Sequence, residues 1–157
     1  MDFVNIEGVP DTQIVKKMLW LHEQIFQDSE TLLDKARTKP NLLFTLALEH
    51  GEVVGYKIGY EVDDATFYSW LGSVGEAYRG RGIASELMRH QHHHLVEKGY
   101  SVVQTKTMNK WRHMLILNLK QGFDITGTYS DKNGETKIIL EKRLVPMSVQ
   151  VAGAYEN

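Results

Sequence analysis

The sequence contains no cysteine among its 157 residues. That absence excludes disulfide bonds, thiolate zinc sites and a cysteine nucleophile, and it is compatible with a reducing compartment. No stretch approaches the ~18 consecutive apolar residues that a membrane-spanning helix requires, and the opening residues, MDFVNIEGVP, lack the basic and apolar regions of a signal peptide. We therefore expect a cytoplasmic protein that has no membrane partner.

An excess of positive charge is also missing, since the formal net charge is -2. General nucleic-acid binding usually leaves a basic footprint, so no nucleic-acid partner is expected. Hydrophobic residues make up 42% and charged residues 24%, as in an ordinary globular protein. Neither an internal repeat nor a low-complexity linker divides the chain. These features predict one domain over residues 1–144 and a tail of unassigned role over residues 145–157.

Apolar spacing and turn residues predict the order of the secondary-structure elements. Asp11 is a candidate N-cap for a first helix and Ser29 for a second. A turn at His50-Gly51 joins two strands, and Asn133-Gly134 is a strong type I′ signal for a closing hairpin. The predicted order is β-α-α-β-β-β-α-β-α-β-β, which indicates a mixed α/β domain with a strongly antiparallel first half.

Alternation along the third and fourth strands assigns side chains to the two faces of the sheet. Tyr56 and Tyr60 share one face of the third strand, whereas Glu61 points to the other. Tyr68 and Trp70 alternate toward one face of the fourth strand, where they are either core aromatics or part of a pocket.

A cluster of histidines at positions 90, 92, 93 and 94 suggests a metal site at first sight. Ligands on one helix face must be three or four residues apart, and only His90 with His93 or His94 meets that condition. A solvated histidine face is the favoured interpretation, with His94 as a candidate semi-buried residue, and no metal is predicted.

The stretch from Tyr78 to Leu87, YRGRGIASEL, places two glycines and two arginines directly before an amphipathic helix. Glycine carries a high entropic cost on ordering, but it lets a ligand approach the backbone closely. Amides at a helix N-terminus attract anions, so this stretch predicts a phosphate or pyrophosphate site. The P-loop lysine is missing, and Ser85 stands where the dinucleotide fingerprint requires a third glycine. A plain turn, and nucleic-acid binding through Arg79 and Arg81, remain the alternatives.

The segment Arg79-Gly80-Arg81-Gly82-Ile83-Ala84 resembles the [Q/R]-x-x-G-x-[G/A] signature of the GNAT superfamily of acyl-CoA-dependent N-acyltransferases. Downstream, MLILNLKQGF resembles the second CoA-proximal helix of that family, which typically ends in Gly-Phe. The resemblance extends over residues 1 to about 144. It implies a mostly antiparallel mixed sheet of about seven strands flanked by about four helices.

The resemblance also implies where acetyl-CoA binds. The fourth strand would carry a bulge, and the fourth and fifth strands would splay apart to admit the pantetheine arm. Ser73 and Val74 would pair with that arm through their backbones, and the Val74 N–H could polarise the thioester carbonyl. Asn109 would lie beside the cofactor, although Trp111 occupies that place in the closest motif spacing. The pyrophosphate would be held by the amides of Arg79, Gly80, Arg81, Gly82, Ile83 and Ala84.

Family members catalyse direct attack of an amine on acetyl-CoA, with no covalent enzyme intermediate. Many place a tyrosine acid where this chain has Asn118, which can donate a hydrogen bond beside the cofactor but cannot act as an acid. Tyr129 and Tyr78 are candidate substitutes, and the thiolate could also leave unprotonated. Glu61 and Glu23 are the candidate bases.

The predicted function is therefore transfer of an acetyl group from acetyl-CoA to a primary amine. A small-molecule amine is favoured, and the slight acidity of the chain favours a cationic one such as a polyamine or aminoglycoside. Residues 26–39 and 129–136 would build the acceptor site. A lysine side chain or peptide N-terminus is an alternative acceptor, and a non-catalytic acyl-CoA sensor is a further alternative that Asn118 supports. Homodimerisation through sheet edges or the tail is also open.

Overall fold

Seven strands form one sheet in the order β1-β2-β3-β4-β5-β7-β6. The structure, a computed structural model, describes residues 1–145, so the predicted tail lies outside the described residues except for Val145. The predicted order of elements and the mixed α/β class are confirmed. The strands are β1 Asp2–Glu7, β2 Leu43–Glu49, β3 Glu52–Glu61, β4 Thr66–Val74, β5 Val102–Met108, β6 Asp124–Ser130 and β7 Thr136–Arg143; the helices are α1 Thr12–Phe26, α2 Ser29–Ala36, α3 Ile83–Glu97 and α4 Arg112–Lys120, with a 3-10 turn at Glu76–Tyr78.

The boundary between β4 and β5 differs from the other strand pairs of the sheet. These two strands run parallel, whereas the other described neighbours are antiparallel. Their register extends only from Thr66 opposite Val102 to Ser69 opposite Thr105. Beyond that point β4 and β5 diverge. We call the paired part the seam and the diverging part the mouth.

A β-bulge at Trp70 lies where the mouth begins. On β3, Ile58 faces Leu71 and the next residue, Gly59, faces Ser69, so Trp70 is the extra residue of β4. A Cβ on Gly59 would lie 2.3 Å from Phe67 Cε2, so only glycine allows this close approach. The bulge that the family resemblance implied on the fourth strand is therefore present.

The helices cover the two faces of the sheet in pairs. On one face, Met18 and Leu21 of α1 and Leu32 of α2 pack against Tyr56 and other residues of the central strands. The second core lies against α3 and the end of α4, and its buried members include Met88, Leu95, Phe67, Val103, Phe123 and Leu140. Within residues 1–145, no helix is both long and apolar enough to cross a membrane.

Two of the predicted local signals are confirmed. Asp11 caps α1, because its side chain accepts a hydrogen bond of 2.9 Å from the Ile14 amide. His50 and Gly51 have φ values of 51° and 79°, which both central residues of a type I′ turn require.

Two other local predictions are wrong. Ser29 does not cap α2 but begins it, since its amide and hydroxyl both bind the Glu23 carboxylate, and Asp28 occupies the N-cap position. The closing hairpin has no type I′ turn, because Gly134 has positive φ and Asn133 does not. Instead Asp131 accepts hydrogen bonds from the Asn133 and Glu135 amides, which stabilises a longer loop that ends in a glycine.

Candidate active site

The loop between β4 and α3 forms a cradle of unpaired backbone amides, defined here as residues 79–84. Gly80 and Gly82 have φ values of 78° and 77°, a region that residues with a Cβ rarely adopt. Gly82 is the N-cap of α3 and offers no capping side chain. The Arg79 amide donates to the Glu76 carbonyl, and the Glu86 amide donates to the Gly82 carbonyl. Within the described chain, no amide between these two donates to a backbone carbonyl. The amides between them are free to bind an anion.

The two arginines of the cradle are held by local contacts. Arg79 Nε donates a hydrogen bond of 3.1 Å to the Val74 carbonyl. The Arg81 guanidinium carbon lies 5.1 Å from the centre of the Tyr78 ring, a cation–π contact. These contacts keep two positive charges beside the positive end of the α3 dipole, which favours a multiply charged anion such as a pyrophosphate.

The space in front of the cradle fits a ligand that approaches the backbone. A Cβ built on Gly80 or Gly82 would meet no protein atom within 4 Å, so no protein group crowds these positions. The same Cβ would protrude into the space next to the free amides. The glycines therefore fit a bound pyrophosphate, for which close approach to consecutive amides is needed.

The structure places two of the predicted cofactor-binding residues at the mouth and a third within α4. Ser73 and Val74 lie at the end of β4, opposite Tyr56 and Gly55 of β3. Asn118 is buried on α4, and its carbonyl accepts a hydrogen bond of 3.0 Å from the Phe123 amide.

Asn109 and Trp111 lie on the turn between β5 and α4. The Asn109 side chain is exposed, and so is that of Trp111, whose ring carries Lys110 at 5.5 Å. Both residues follow directly after the open end of β5, the strand that forms the second side of the mouth. The structure thus places both candidates for the same role at the mouth.

The predicted catalytic residues occupy different places. Tyr129 of β6 is opposite Lys137, which is opposite Met108 at the open end of β5. Glu61 accepts a hydrogen bond of 2.8 Å from the Tyr100 hydroxyl at the closed end of the seam. At ~3.3 Å per strand residue, that end is roughly 20 Å from Val74. The structure therefore does not bring Glu61 to the cradle.

The remaining two candidates are engaged in local contacts. Tyr78 lies under the Arg81 guanidinium at the cradle. Glu23 binds the amide and hydroxyl of Ser29, and these hydrogen bonds hold the pKa of its carboxyl below the usual range.

An aromatic platform lies beside the start of the mouth, on the face opposite α3 and α4. It consists of Tyr60, Tyr68, Trp70 and Tyr129. The ring centres of Tyr60 and Tyr68 are 5.4 Å apart and those of Tyr60 and Trp70 are 5.9 Å apart, both with edge-on geometry. Burial raises the pKa of Tyr68 to about 12, and the neighbouring hydroxyls of Tyr60 and Tyr129 add to that effect. The Tyr68 phenol therefore stays neutral at ordinary pH.

The histidine cluster on α3 does not form the predicted solvated face. His92 is buried, and its Nδ1 accepts a hydrogen bond of 3.3 Å from Lys142. Burial, followed by the charges of Lys142 and Lys57, lowers the pKa of His92 to about 2, so this imidazole stays neutral. His94 is semi-buried, as expected, and contacts Glu7. In residues 1–145, no group of three or more histidine, aspartate or glutamate side chains could hold a metal ion.

Sequence patterns gave no sign of the polar groups buried beneath α3. Lys57 of β3 is 8% exposed, and burial lowers its pKa to about 8. Within the part of the chain that the structure describes, both amide atoms of Gln91 and the Nε2 of His92 are buried without a hydrogen-bond partner. The sequence around a lysine in a strand does not show whether a helix covers it in the folded protein. Only the tertiary fold therefore shows that Lys57 is buried.

The sequence matches the model of the acetyltransferase (GNAT) family over residues 12–123. This range contains α1, the cradle, the mouth and the Gly-Phe pair that ends α4. None of the curated proteins searched matches the sequence.

Solved structures with a similar fold include three acetyltransferases. A GNAT family acetyltransferase from Elizabethkingia anophelis with acetyl-CoA bound has 23% identity and a TM-score of 0.70, covering 90% of this chain and 98% of that one. The aminoglycoside 6'-N-acetyltransferase from Enterococcus faecium has 13% identity and a TM-score of 0.75, covering 91% and 98%. The ribosomal-protein-S18-alanine N-acetyltransferase from Escherichia coli has 15% identity and a TM-score of 0.72, covering 90% and 94%. At these identities the similarity establishes the fold.

Proposed function

Because the chain belongs to the GNAT family of acetyltransferases, we propose that it transfers the acetyl group of acetyl-CoA to a small-molecule primary amine. The observation that carries the proposal is the position of the cradle, whose free amides lie directly beside the mouth between β4 and β5. An anion held by the cradle would direct the remainder of an elongated cosubstrate into the mouth. The solved relatives with acetyl-CoA or CoA bound support this cosubstrate.

The residues proposed to hold acetyl-CoA form two groups. Arg79, Gly80, Arg81, Gly82, Ile83 and Ala84 would bind the pyrophosphate, mainly through backbone amides. Ser73 and Val74 would pair with the pantetheine arm from the open edge of β4, and Asn109 and Asn118 would approach it from the other side. The Val74 amide is proposed to donate to the thioester carbonyl oxygen, where negative charge develops during acyl transfer.

The reaction is a direct transfer between two bound molecules. The amine nitrogen attacks the thioester carbonyl, a C–N bond forms, the C–S bond breaks, and CoA leaves as the thiolate. The nitrogen loses one proton and the thiolate can gain one, so no other reactant is required. We propose Tyr129 as the proton donor and Asn118 as a hydrogen-bond donor. Glu61 is held by Tyr100 roughly 20 Å from Val74, too far to take the proton directly or through one water, so we do not propose it as the base.

A small-molecule acceptor is supported by the shape of the platform face. The rings of Tyr60, Tyr68 and Trp70 are half-buried and contact each other edge-on, which forms a compact apolar surface. Among the solved relatives, the aminoglycoside acetyltransferases are named for small-molecule acceptors, and the ribosomal-protein acetyltransferase for a protein one. The cytoplasmic location and the homodimer stay predictions.

Calorimetric titration of acetyl-CoA into the protein tests the proposal. We expect micromolar binding by the wild type and none by Gly82→Trp, whose indole would fill the space in front of the cradle. Gly99→Trp is the matched control, since Gly99 also has positive φ and open space but lies at the opposite end of α3. Equal binding by both variants, or no binding by the wild type, would contradict the proposal.

Measuring thiol release with a panel of amines separates an enzyme from an acyl-CoA sensor. An acetyltransferase releases CoA in proportion to the acetylated amine. A protein that binds acetyl-CoA and releases no thiol with any amine would have to be assigned to the sensor class instead.

A further inference from the structure

Two lysines, Lys39 and Lys106, lie over the aromatic platform. Lys39 Nζ lies 4.8 Å from the centre of the Tyr60 ring and 5.5 Å from that of Trp70. Lys106 Nζ lies 5.2 Å from the centre of the Tyr129 ring. In the part of the chain that the structure describes, no carboxylate oxygen lies within 4.0 Å of either ammonium group.

The two lysines come from elements on opposite sides of the mouth. Lys39 follows α2, whereas Lys106 directly follows Thr105, the last residue of β5 that pairs with β4. Trp70 directly follows Ser69, the last residue of β4 that pairs with β5. The mouth therefore begins between Trp70 and Lys106, on the face that α3 and α4 leave open.

Two acidic residues of this face, Glu141 and Asp131, are engaged elsewhere. Glu141 accepts a hydrogen bond of 2.9 Å from Gln104 and pairs with it along the closed part of the sheet. Asp131 lies 4.0 Å from Lys137 and caps the β6–β7 loop. Burial raises the pKa of the Tyr60 and Tyr68 phenols, so these two rings offer no counter-charge to the two lysines. Lys39 and Lys106 therefore place two positive charges at the open side of the mouth.

We infer that the acceptor is a small amine that also carries a carboxylate, as an amino acid does, and that Lys39 and Lys106 bind this carboxylate over the platform. The inference rests on the proposed function, because it names the second substrate of that same reaction. Charge-assisted hydrogen bonds from lysine to a carboxylate are stronger than neutral ones. The apolar part of the acceptor would lie against the rings of Tyr60, Tyr68 and Trp70.

The same charges disfavour the polycationic acceptors that the overall acidity of the chain suggested. A polyamine or aminoglycoside would bring several ammonium groups beside two unpaired lysines, and like charges near a low-dielectric wall repel strongly. Nearby positive charge also lowers the pKa of an acceptor ammonium group, which increases the fraction of the nucleophilic free amine.

Thiol release with paired acceptors tests the inference. The panel consists of the protein amino acids, the corresponding amino acid amides that lack only the carboxylate, a polyamine and an aminoglycoside. For the best amino acid, we expect kcat/KM to exceed that of its amide by about 10- to 100-fold. We expect Lys39→Gln and Lys106→Gln to raise KM for the amino acid and to reduce that preference.

Lys16→Gln is the matched control, since Lys16 is exposed on α1 and lies outside the proposed site. It should change neither the preference nor KM. The inference is wrong if amides or polycations are the better acceptors, if no amino acid is acetylated while acetyl-CoA still binds, or if the lysine variants keep the preference. If the wild type does not bind acetyl-CoA at all, that result would instead contradict the proposed function itself.

Discussion

At the scale of single residues, the side chain of Lys57 is buried in the fold. Its side chain lies over Gly72 of the neighbouring strand, where a Cβ would approach Lys57 Cγ to 3.2 Å. Glycine at this position leaves room for the lysine stem beneath α3. Desolvation is the cause of the lowered pKa, and within residues 1–145 no ion pair or hydrogen bond of the Lys57 ammonium group compensates it.

Replacing Lys57 with methionine should stabilise the protein below pH 8. The folded pKa of about 8 lies below the ordinary 10.5, so below pH 8 both states are protonated and the folded state bears the full cost. As pH rises from 8 to 10.5, the unfolded chain binds more protons than the folded one, and this cost disappears. Lys57→Met should therefore gain on the order of 3 kcal/mol at pH 7. Denaturant unfolding at pH 7 and pH 10 checks this.

A constant difference between Lys57→Met and the wild type at both pH values would contradict that account. Lys16→Met controls for loss of a surface lysine and should change little at either pH, since the Lys16 side chain is exposed.

The residue scale also shows what the sequence could predict about the site. Gly80 and Gly82 were identified because their spacing before a helix has a local reason, the approach of an anion to the backbone. The burial of Lys57 and His92 depends on how α3 lies across the sheet, which no local pattern encodes. The unpaired state of Lys39 and Lys106 likewise depends on contacts between distant segments.

At the scale of elements, two hydrogen bonds of the buried His22 side chain join α1 and the start of α2 to the sheet. His22 of α1 binds the Tyr56 hydroxyl of β3 through Nδ1 and the Asp28 carboxylate through Nε2. A carboxylate can only accept, so in the neutral imidazole Nε2 donates and Nδ1 accepts from the tyrosine. These hydrogen bonds hold the connection between α1 and α2 against the sheet. Lys39, which lies over the platform, follows α2 in the chain.

Removing the Tyr56 hydroxyl should loosen that connection. Tyr56→Phe leaves the buried Nδ1 of His22 without a partner, and we expect a loss of about 1–3 kcal/mol in unfolding free energy. Amide hydrogen exchange in residues 23–32 should become faster. Tyr100→Phe is the control, because it removes a tyrosine hydroxyl bound to Glu61 at the other end of the sheet. If both variants accelerate exchange equally in that segment, the link does not act as described.

The element scale explains why hairpin turns were predicted unevenly. His50-Gly51 adopts its type I′ conformation because only these two residues separate the paired Glu49 and Glu52. At Asn133-Gly134 the Asp131 side chain competes for the loop amides, and this side-chain effect changes the turn type.

At the scale of the whole molecule, the order β5-β7-β6 completes a sheet whose two parts meet only at the seam. The number and sequence of strands followed from local patterns. Local patterns did not predict that β7 lies beside β5, because the sequence allows either strand of the closing hairpin to pair with β5. The short seam is likewise a property of the assembled sheet, and it was implied only through the family resemblance.

Acetyl-CoA should stabilise the mouth more than any other region. A ligand that binds only the folded state adds stability by mass action, about 2.7 kcal/mol at one hundred times its dissociation constant. We expect hydrogen exchange to slow chiefly in residues 70–84 and 106–118. Gly82→Trp should show no such change. Uniform slowing across the chain, or slowing limited to β1 and β2, would contradict the proposed location of the ligand.

The seam is the strand pairing with the shortest register in the sheet. Only four register positions join β4 to β5, whereas seven join β5 to β7. Separation of β4 from β5, starting at the mouth, therefore breaks fewer strand contacts than separation of β5 from β7. Separation of the two parts along the seam would open the proposed acetyl-CoA site, so activity should be lost before the two parts themselves unfold.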